Sequence, residues 1–259
     1  MASGRTTMFL QTILFAALAF HFPGGNSKRQ KDAGTLYFIP NLSAVYVGDH
    51  FSVELALDSL VRNVKGGSVK VQFDASLLSV DSIWDGSLFH GNYFLKDTVI
   101  GDTLMVDFAF LDDSASGPGI IFQIAFEAIS SGSTPLHLFD VRFRDPQNQP
   151  IPLNLYDGLV RIDQYFVRGD ANADGTLNVT DVVYVMDQLF PISSFYCLDA
   201  ADANDDGNVN VSDAVFILVH LFPPSGFPPP FPFCGRDPTL DNIGCGSFPP
   251  CETLEMEGQ

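Results

Sequence analysis

The sequence predicts a mostly β N-terminal jelly-roll sandwich followed by a small α-helical module built on two repeated loops. Three observations predict it. Residues 34–163 alternate apolar and polar side chains with a period of two, in short runs separated by Gly, Asp and Ser turns. That is the pattern of strands with one buried face. A twelve-residue pattern of oxygen-bearing side chains then occurs twice, 32 residues apart, beginning at Asp170 and at Asp202. Each copy runs into a stretch whose apolar residues recur at i, i+3, i+4 and i+7, the stripe of a helix with one buried face.

Residues 1–19 read as a secretory signal. Arg5 supplies the positive start, Met8 to Phe20 an apolar run, and Ala17-Leu18-Ala19 a small-residue cleavage site. The run is too short to span a bilayer, and the chain has no other candidate span. Residues 20–33 are expected to be a linker. Bacterial-type export is expected to leave the mature chain extracellular or at the cell surface.

Residues 34–164 form the predicted sandwich. Phe51, Val53, Leu55 and Leu57 alternate with Ser52, Glu54, Ala56 and Asp58. Val69, Val71 and Phe73 do the same, as do Leu104, Val106, Phe108 and Phe110, and Phe122, Ile124 and Phe126. Turn signals separate them at Gly66-Gly67, Asp85-Gly86, Gly101-Asp102, Ser116 to Gly119, Ser131 to Ser133 and Asp157-Gly158. Many short strands at this spacing argue for a sandwich or jelly roll.

The character changes at Gln164–Arg168, and residues 165–222 form the second predicted module. Its first loop carries Asp170, Asn172, Asp174, Thr176, Asn178 and Asp181, and its second Asp202, Asn204, Asp206, Asn208, Asn210 and Asp213. These are loop positions 1, 3, 5, 7, 9 and 12, with Gly175 and Gly207 at position 6. A hard cation takes six to eight oxygen ligands, and this is the calcium-loop spacing. Two Ca2+ ions are therefore expected. Thr176 and Asn208 would ligate through backbone carbonyls, and Asn178 and Asn210 through water. Without metal, carboxylates about 5 Å apart repel by roughly 3 kcal/mol per pair. The apolar stripes 182, 185, 186, 189 and 214, 217, 218, 221 define a helix after each loop, with Pro191 and Pro223 as stops.

Residues 223–259 form a tail that holds nine of the seventeen prolines. Pro228 to Pro232 favours an extended path, and the end beyond Glu252 is expected to fray. The four cysteines, Cys197, Cys234, Cys245 and Cys251, fit an oxidising compartment. Three pairings are open. In each, Cys197 joins a tail cysteine, so the tail is stapled back between the two loops.

Formal net charge is −18, and five glutamates leave 26 aspartates among the 31 acids. Such a chain repels nucleic acid and anionic membrane. Nine aspartates lie in 165–222 against one cation, Arg168. That imbalance points to divalent metal in the module.

Residues 167–222 resemble a dockerin domain, on the paired Asp-x-Asn-x-Asp-Gly-x-x-Asn-x-x-Asp loops, the helix after each and the duplication. The extended lead-in to loop 1 and Asp at position 12 separate them from ordinary EF-hands; dockerins are tandem F-hands. Residues 35–163 look like a cohesin domain, on Val47 to Val53, Val71 to Leu78, Gly119 to Phe126 and Asp157 to Ile162. The resemblance implies a nine-stranded jelly roll that binds dockerins. It also implies partner contacts at dockerin positions 10, 11, 17 and 18: Val179, Thr180, Met186 and Asp187, then Val211, Ser212, Leu218 and Val219. The loops look type I-like, but the Ser-Thr pair and basic residue of well-known members are absent, so a non-cellulosomal setting is the expectation.

No catalytic constellation stands out. The histidines are scattered, with neither HExxH nor GxSxG, and Asp112-Asp113 reads as a solvated turn. Trp84 is expected in the core, with sugar stacking as the other reading. The expected function is a secreted, non-enzymatic, calcium-dependent adaptor between cohesin- or dockerin-bearing proteins, with a second copy of the chain as one such partner. Its expected setting is an extracellular polysaccharide-degrading or surface assembly. The alternative is a carbohydrate-binding module with a dockerin attachment domain.

Overall fold

Each alternating run becomes a strand, and the apolar parity of every run faces one shared interior. The computed structural model describes residues 33–190, 195–222, 226–239 and 241–252. The signal segment 1–19, all but the last residue of the linker, Pro191, Pro223 and the tail end from 253 lie outside the described residues.

Twelve strands run through the first module: β1 (Gly34–Ile39), β2 (Leu42–Tyr46), β3 (His50–Leu57), β4 (Gly66–Gln72), β5 (Leu78–Asp85), β6 (Tyr93–Ile100), β7 (Thr103–Phe110), β8 (Gly119–Ala128), β9 (Gly132–Arg144), β10 (Pro150–Ile151), β11 (Leu153–Tyr156) and β12 (Gly158–Asp163). One sheet has the order β11-β1-β3-β8-β5. The other has the order β2-β12-β9-β4-β7-β6, with β10 beside β9. Leu36, Phe38, Val53, Leu55, Phe122, Ile124 and Phe126 of the first sheet meet Val69, Val71, Leu104, Val106, Phe108, Leu138, Val160 and Ile162 of the second in one buried core.

The resemblance implied nine strands. Part of the excess arises at two prolines. β1 pairs in the first sheet and β2 in the second, with Pro40 between them. Likewise β10 pairs with β9 and β11 with β1, with Pro152 between. Proline has no N–H to continue a ladder, so one run is divided between two sheets at that point. A register shift at Leu55/Ala56 leaves Ile121 as the extra residue of a bulge, which is why Ile121 and Phe122 are both buried.

One expectation about this module is corrected. Trp84 is 48% exposed. It lies on β5, an edge strand of the first sheet, so its ring is a surface feature.

The second module holds α1 (Val179–Leu189), the single turn α2 (Leu198–Ala201), α3 (Val211–Leu221) and, in the tail, α4 (Pro249–Glu252). α1 and α3 start where the loop pattern places them. Asn178 and Asn210 are N-caps, and each closes a capping box with the aspartate three residues on. Val185, Ala201, Ala203, Ala214 and Ile217 form the small core between the helices.

The tail covers this module and ties it to the sandwich. The disulfides are Cys197–Cys245 and Cys234–Cys251, and they pack with Phe166, Ala200 and Phe248 in a separate apolar cluster. Phe166 pairs with Gly235 through backbone hydrogen bonds in both directions. Arg236 bonds Asp49 in the β2–β3 turn, and Asp237 N donates to the Tyr46 hydroxyl. Gln164 N donates to Cys245 O at 2.8 Å.

Candidate functional site

The two loops are built by the same hydrogen bonds, 32 residues apart. The position-1 carboxylate of Asp170 accepts from Asp174 N (3.1 Å) and Gly175 N (2.9 Å). Asp202 accepts from Asp206 N (3.1 Å) and Gly207 N (2.7 Å). The position-12 carboxylate of Asp181 accepts from Asn172 N and Asn178 N, at 3.2 and 2.8 Å. Asp213 accepts from Asn204 N and Asn210 N, at 3.3 and 2.8 Å. The turn needs left-handed backbone at Gly175 (φ 84°) and Gly207 (φ 80°).

This wiring buries charge. Asp170, Asp181, Asp202 and Asp213 are all buried. Burial pushes Asp181 up to about 6, with the Asp170 and Asp174 carboxylates adding to it. Asp213 is pushed up to about 6 by burial, with Asp202 and Asp206 behind it. The donor set is all oxygen: three carboxylates, one amide side chain and a backbone carbonyl per loop. That chemistry suits a hard divalent cation, because buried anions gathered without a matching positive charge are costly. The residues that would hold it are Asp170, Asn172, Asp174, Thr176 and Asp181 in one loop and Asp202, Asn204, Asp206, Asn208 and Asp213 in the other. Asn178 and Asn210 turn their side-chain oxygens to the helix N-termini.

Arg168 ion-pairs with Asp205 and Asp237, which lie outside the ligand set of the loops. It is fully buried. Its Nη1 donates to the Asp199 and Asp202 carbonyls, its Nε to Pro229 O, and its Nη2 reaches Asp237 (2.8 Å) and Asp205 (3.0 Å). The sequence marks it only as the one cation of the module; nothing local signals that it joins loop to tail.

The eight residues expected at a partner interface are all exposed on α1 and α3. Thr180 and Ser212 are partly committed, since their hydroxyls accept from Asn172 and Asn204 of the loops. Four apolar neighbours were missed: Val183, Phe190, Val215 and Phe222 are exposed too, Phe222 at 73%. Exposed large apolar side chains at matching places in the two repeats were a readable signal. His220 packs inward instead, stacked on Phe216 and beside Phe227 of the tail.

Two His–Asp pairs in the sandwich went unread in the sequence: His50–Asp81 at 2.8 Å and His137–Asp157 at 2.7 Å. Both are well exposed, and their members are 31 and 20 residues apart. Asp112 is an exposed turn residue that accepts from Asn92.

The sandwich has its counterpart among known families. Residues 37–161 match the cohesin domain model. The N-terminal sandwich is a cohesin domain. A cohesin domain is a non-catalytic module that binds dockerin-bearing proteins. The chain is similar to a non-cellulosomal cohesin from the hyperthermophilic archaeon Archaeoglobus fulgidus, with 21% identity and a TM-score of 0.45, over 50% of this chain and 91% of that one. It is similar to a chain of a type I cohesin–dockerin complex from Clostridium thermocellum, with 12% identity and a TM-score of 0.46, over 54% and 99%. A type II cohesin domain from the cellulosome of Acetivibrio cellulolyticus gives 10% identity and a TM-score of 0.43, over 49% and 95%. No curated protein matches the chain. The cohesin domain ends at β12, and the loop module begins within a few residues of it. One disulfide joins the second module to the tail and the other lies within the tail, and both fit an oxidising compartment. No helix among the described residues is long and apolar enough to cross a membrane.

Proposed function

We propose that the chain is a secreted, calcium-dependent adaptor. Its cohesin domain receives a dockerin-bearing partner, and its second module, read as a dockerin, docks into the cohesin of another protein. The observation that carries this is the repetition, in both loops, of the backbone bonds to the position-1 and position-12 carboxylates, each loop followed by a helix with an exposed apolar face. Calcium would neutralise the buried carboxylates and hold the two helix starts, and with them Val179, Met186, Val211, Leu218 and Val219, in one surface. The setting is an extracellular polysaccharide-degrading or surface assembly.

Calcium titration of the exported chain, followed by capture on immobilised cohesin and dockerin modules, tests this reading. We expect two high-affinity ions and capture by both baits, the cohesin bait losing its signal in chelator. A chain that melts identically with and without chelator refutes it. Gel filtration at high concentration tests whether copies join head to tail.

A second reading rests on Trp84. An exposed ring on an edge strand is suited to stack on the apolar face of a sugar. Retention on insoluble polysaccharide that Trp84→Ala abolishes would favour a carbohydrate-binding role for the sandwich.

A further inference from the structure

A second group of carboxylates lies outside both loops. α2 places Asp199 between the loops, and the tail segment between Cys234 and Cys245 brings Asp237 and Asp241 over it. One carboxylate oxygen from each of the three lies within 4.8 Å of the others. Asp199 is 3% exposed. Its Oδ1 is the one buried side-chain oxygen or nitrogen among the described residues that has no hydrogen-bond partner.

We propose that Asp199, Asp237 and Asp241 form a third divalent-cation site, which takes calcium and fastens the tail to the helical module. Asp237 and Asp241 are positioned without metal. Asp237 Oδ1 accepts from Arg168, Thr239 N and Thr239 Oγ1, and Asp241 Oδ1 accepts from Ile243 N. Among the described residues the hydrogen bonds to Asp237 and Asp241 fall on Oδ1 of each.

Charge makes the same demand. Asp163 and Asp205 border the group, and the cations that face it are Arg168, bonded to Asp237 and Asp205, and Arg161, bonded to Asp163. With Asp202, whose charge also acts on Asp241, six carboxylates against two guanidiniums leave an excess of four negative charges around a buried centre. The Arg168 fork meets only the backbone oxygen of Asp199, so among the described residues the Asp199 carboxylate has no ion pair of its own. Burial first, then the charges of Asp237, Asp163 and Asp241, pushes Asp199 up to about 7. A proton would cancel one charge. A dication cancels two and gives the unmatched oxygen a ligand bond. The all-carboxylate donor set selects a hard cation. Three protein oxygens leave the remaining positions to water, which puts the site in the weak extracellular class, with Kd about 10⁻⁴–10⁻³ M.

The test is equilibrium dialysis of the full chain against calcium held about tenfold above that Kd, with bound metal counted by mass spectrometry. The wild type is expected to hold one ion more than Asp241→Asn, whose retained amide oxygen still accepts from Ile243 N, and one more than Asp199→Asn. The exposed control Asp97→Asn is expected to match the wild type. Equal stoichiometry in wild type and Asp241→Asn overturns the site, and so does an equal loss in the control. If the loop reading fails instead, the wild type binds a single ion and Asp241→Asn none, so the two ideas fail separately.

Discussion

Among the described residues, each buried charged side chain lies at or beyond position 163: Asp163, Arg168, Asp170, Asp181, Asp199, Asp202 and Asp213. The sandwich core from Leu36 to Ile162 is built of apolar side chains, and the buried polar residues described before position 163 are the uncharged Ser43 and Thr134. The two modules share one chain and are held together by different physics. The sandwich is long enough to bury a continuous apolar interior, which suffices for a domain of its size. The helical module has a core of mainly alanine and single branched residues. A unit that small rarely gains more than a few kcal/mol from its core. Buried ion pairs, disulfides and, on our reading, metal take the place of apolar area.

The sharpest way to break this contrast is one substitution in each module. Arg168→Ala strips a buried fork from two carboxylates and three carbonyls and is expected to cost about 3–5 kcal/mol. Phe126→Ala opens the sandwich core and is expected to cost about 3–5 kcal/mol. Scanning calorimetry should move a different transition in each variant. A single transition that both variants shift equally would show one cooperative unit joined through the tail.

The disulfides come next. Cys197–Cys245 spans 48 residues and Cys234–Cys251 spans 17. By loop-closure entropy the first is worth about 4 kcal/mol and the second about 3 kcal/mol. Replacing each pair with alanine should lower the stability of the helical module in that order and leave the sandwich transition in place, read by denaturant titration.

Chelation sharpens the comparison further. At free calcium about 100-fold above Kd, each ion contributes about 2.7 kcal/mol, lost in chelator. The metal-free module should also respond to pH. Asp181 and Asp213 are held up at about 6 in the fold against an ordinary 3.8. Between those values the folded chain binds protons that the unfolded chain has shed, so stability falls as pH rises from about 4 to 6 and is regained on acidification. Calcium should reverse the trend, because it binds the deprotonated carboxylates. Melting curves at pH 5 and pH 7, with and without chelator, measure both signs; the sandwich transition should move with neither.

The smallest effect is expected at Trp84. Trp84→Ala removes a half-exposed ring from an edge strand and should change stability by no more than about 0.5 kcal/mol. A larger loss would mean that the ring covers part of the core after all.

Much of each module was legible where the signal is local. Strand parity was readable at Val69, Val71, Leu104, Val106 and Phe126, because a period of two assigns each side chain to a face before any partner is known. The loop duplication was readable too, and so were the helix starts at Asn178 and Asn210, since a loop's hydrogen bonds close within twelve residues and a capping box within four. What the sequence left open depends on groups brought together across the chain. Cysteine pairing, the role of Arg168, the meeting of Asp199 with Asp237 and Asp241, and the exposure of Trp84 on an edge strand were all decided by the path of the tail and the order of strands in the sheets. Short-range bonds are fixed by neighbouring residues and so are written in the sequence, whereas the matching of buried charges depends on which distant segments the completed fold places side by side.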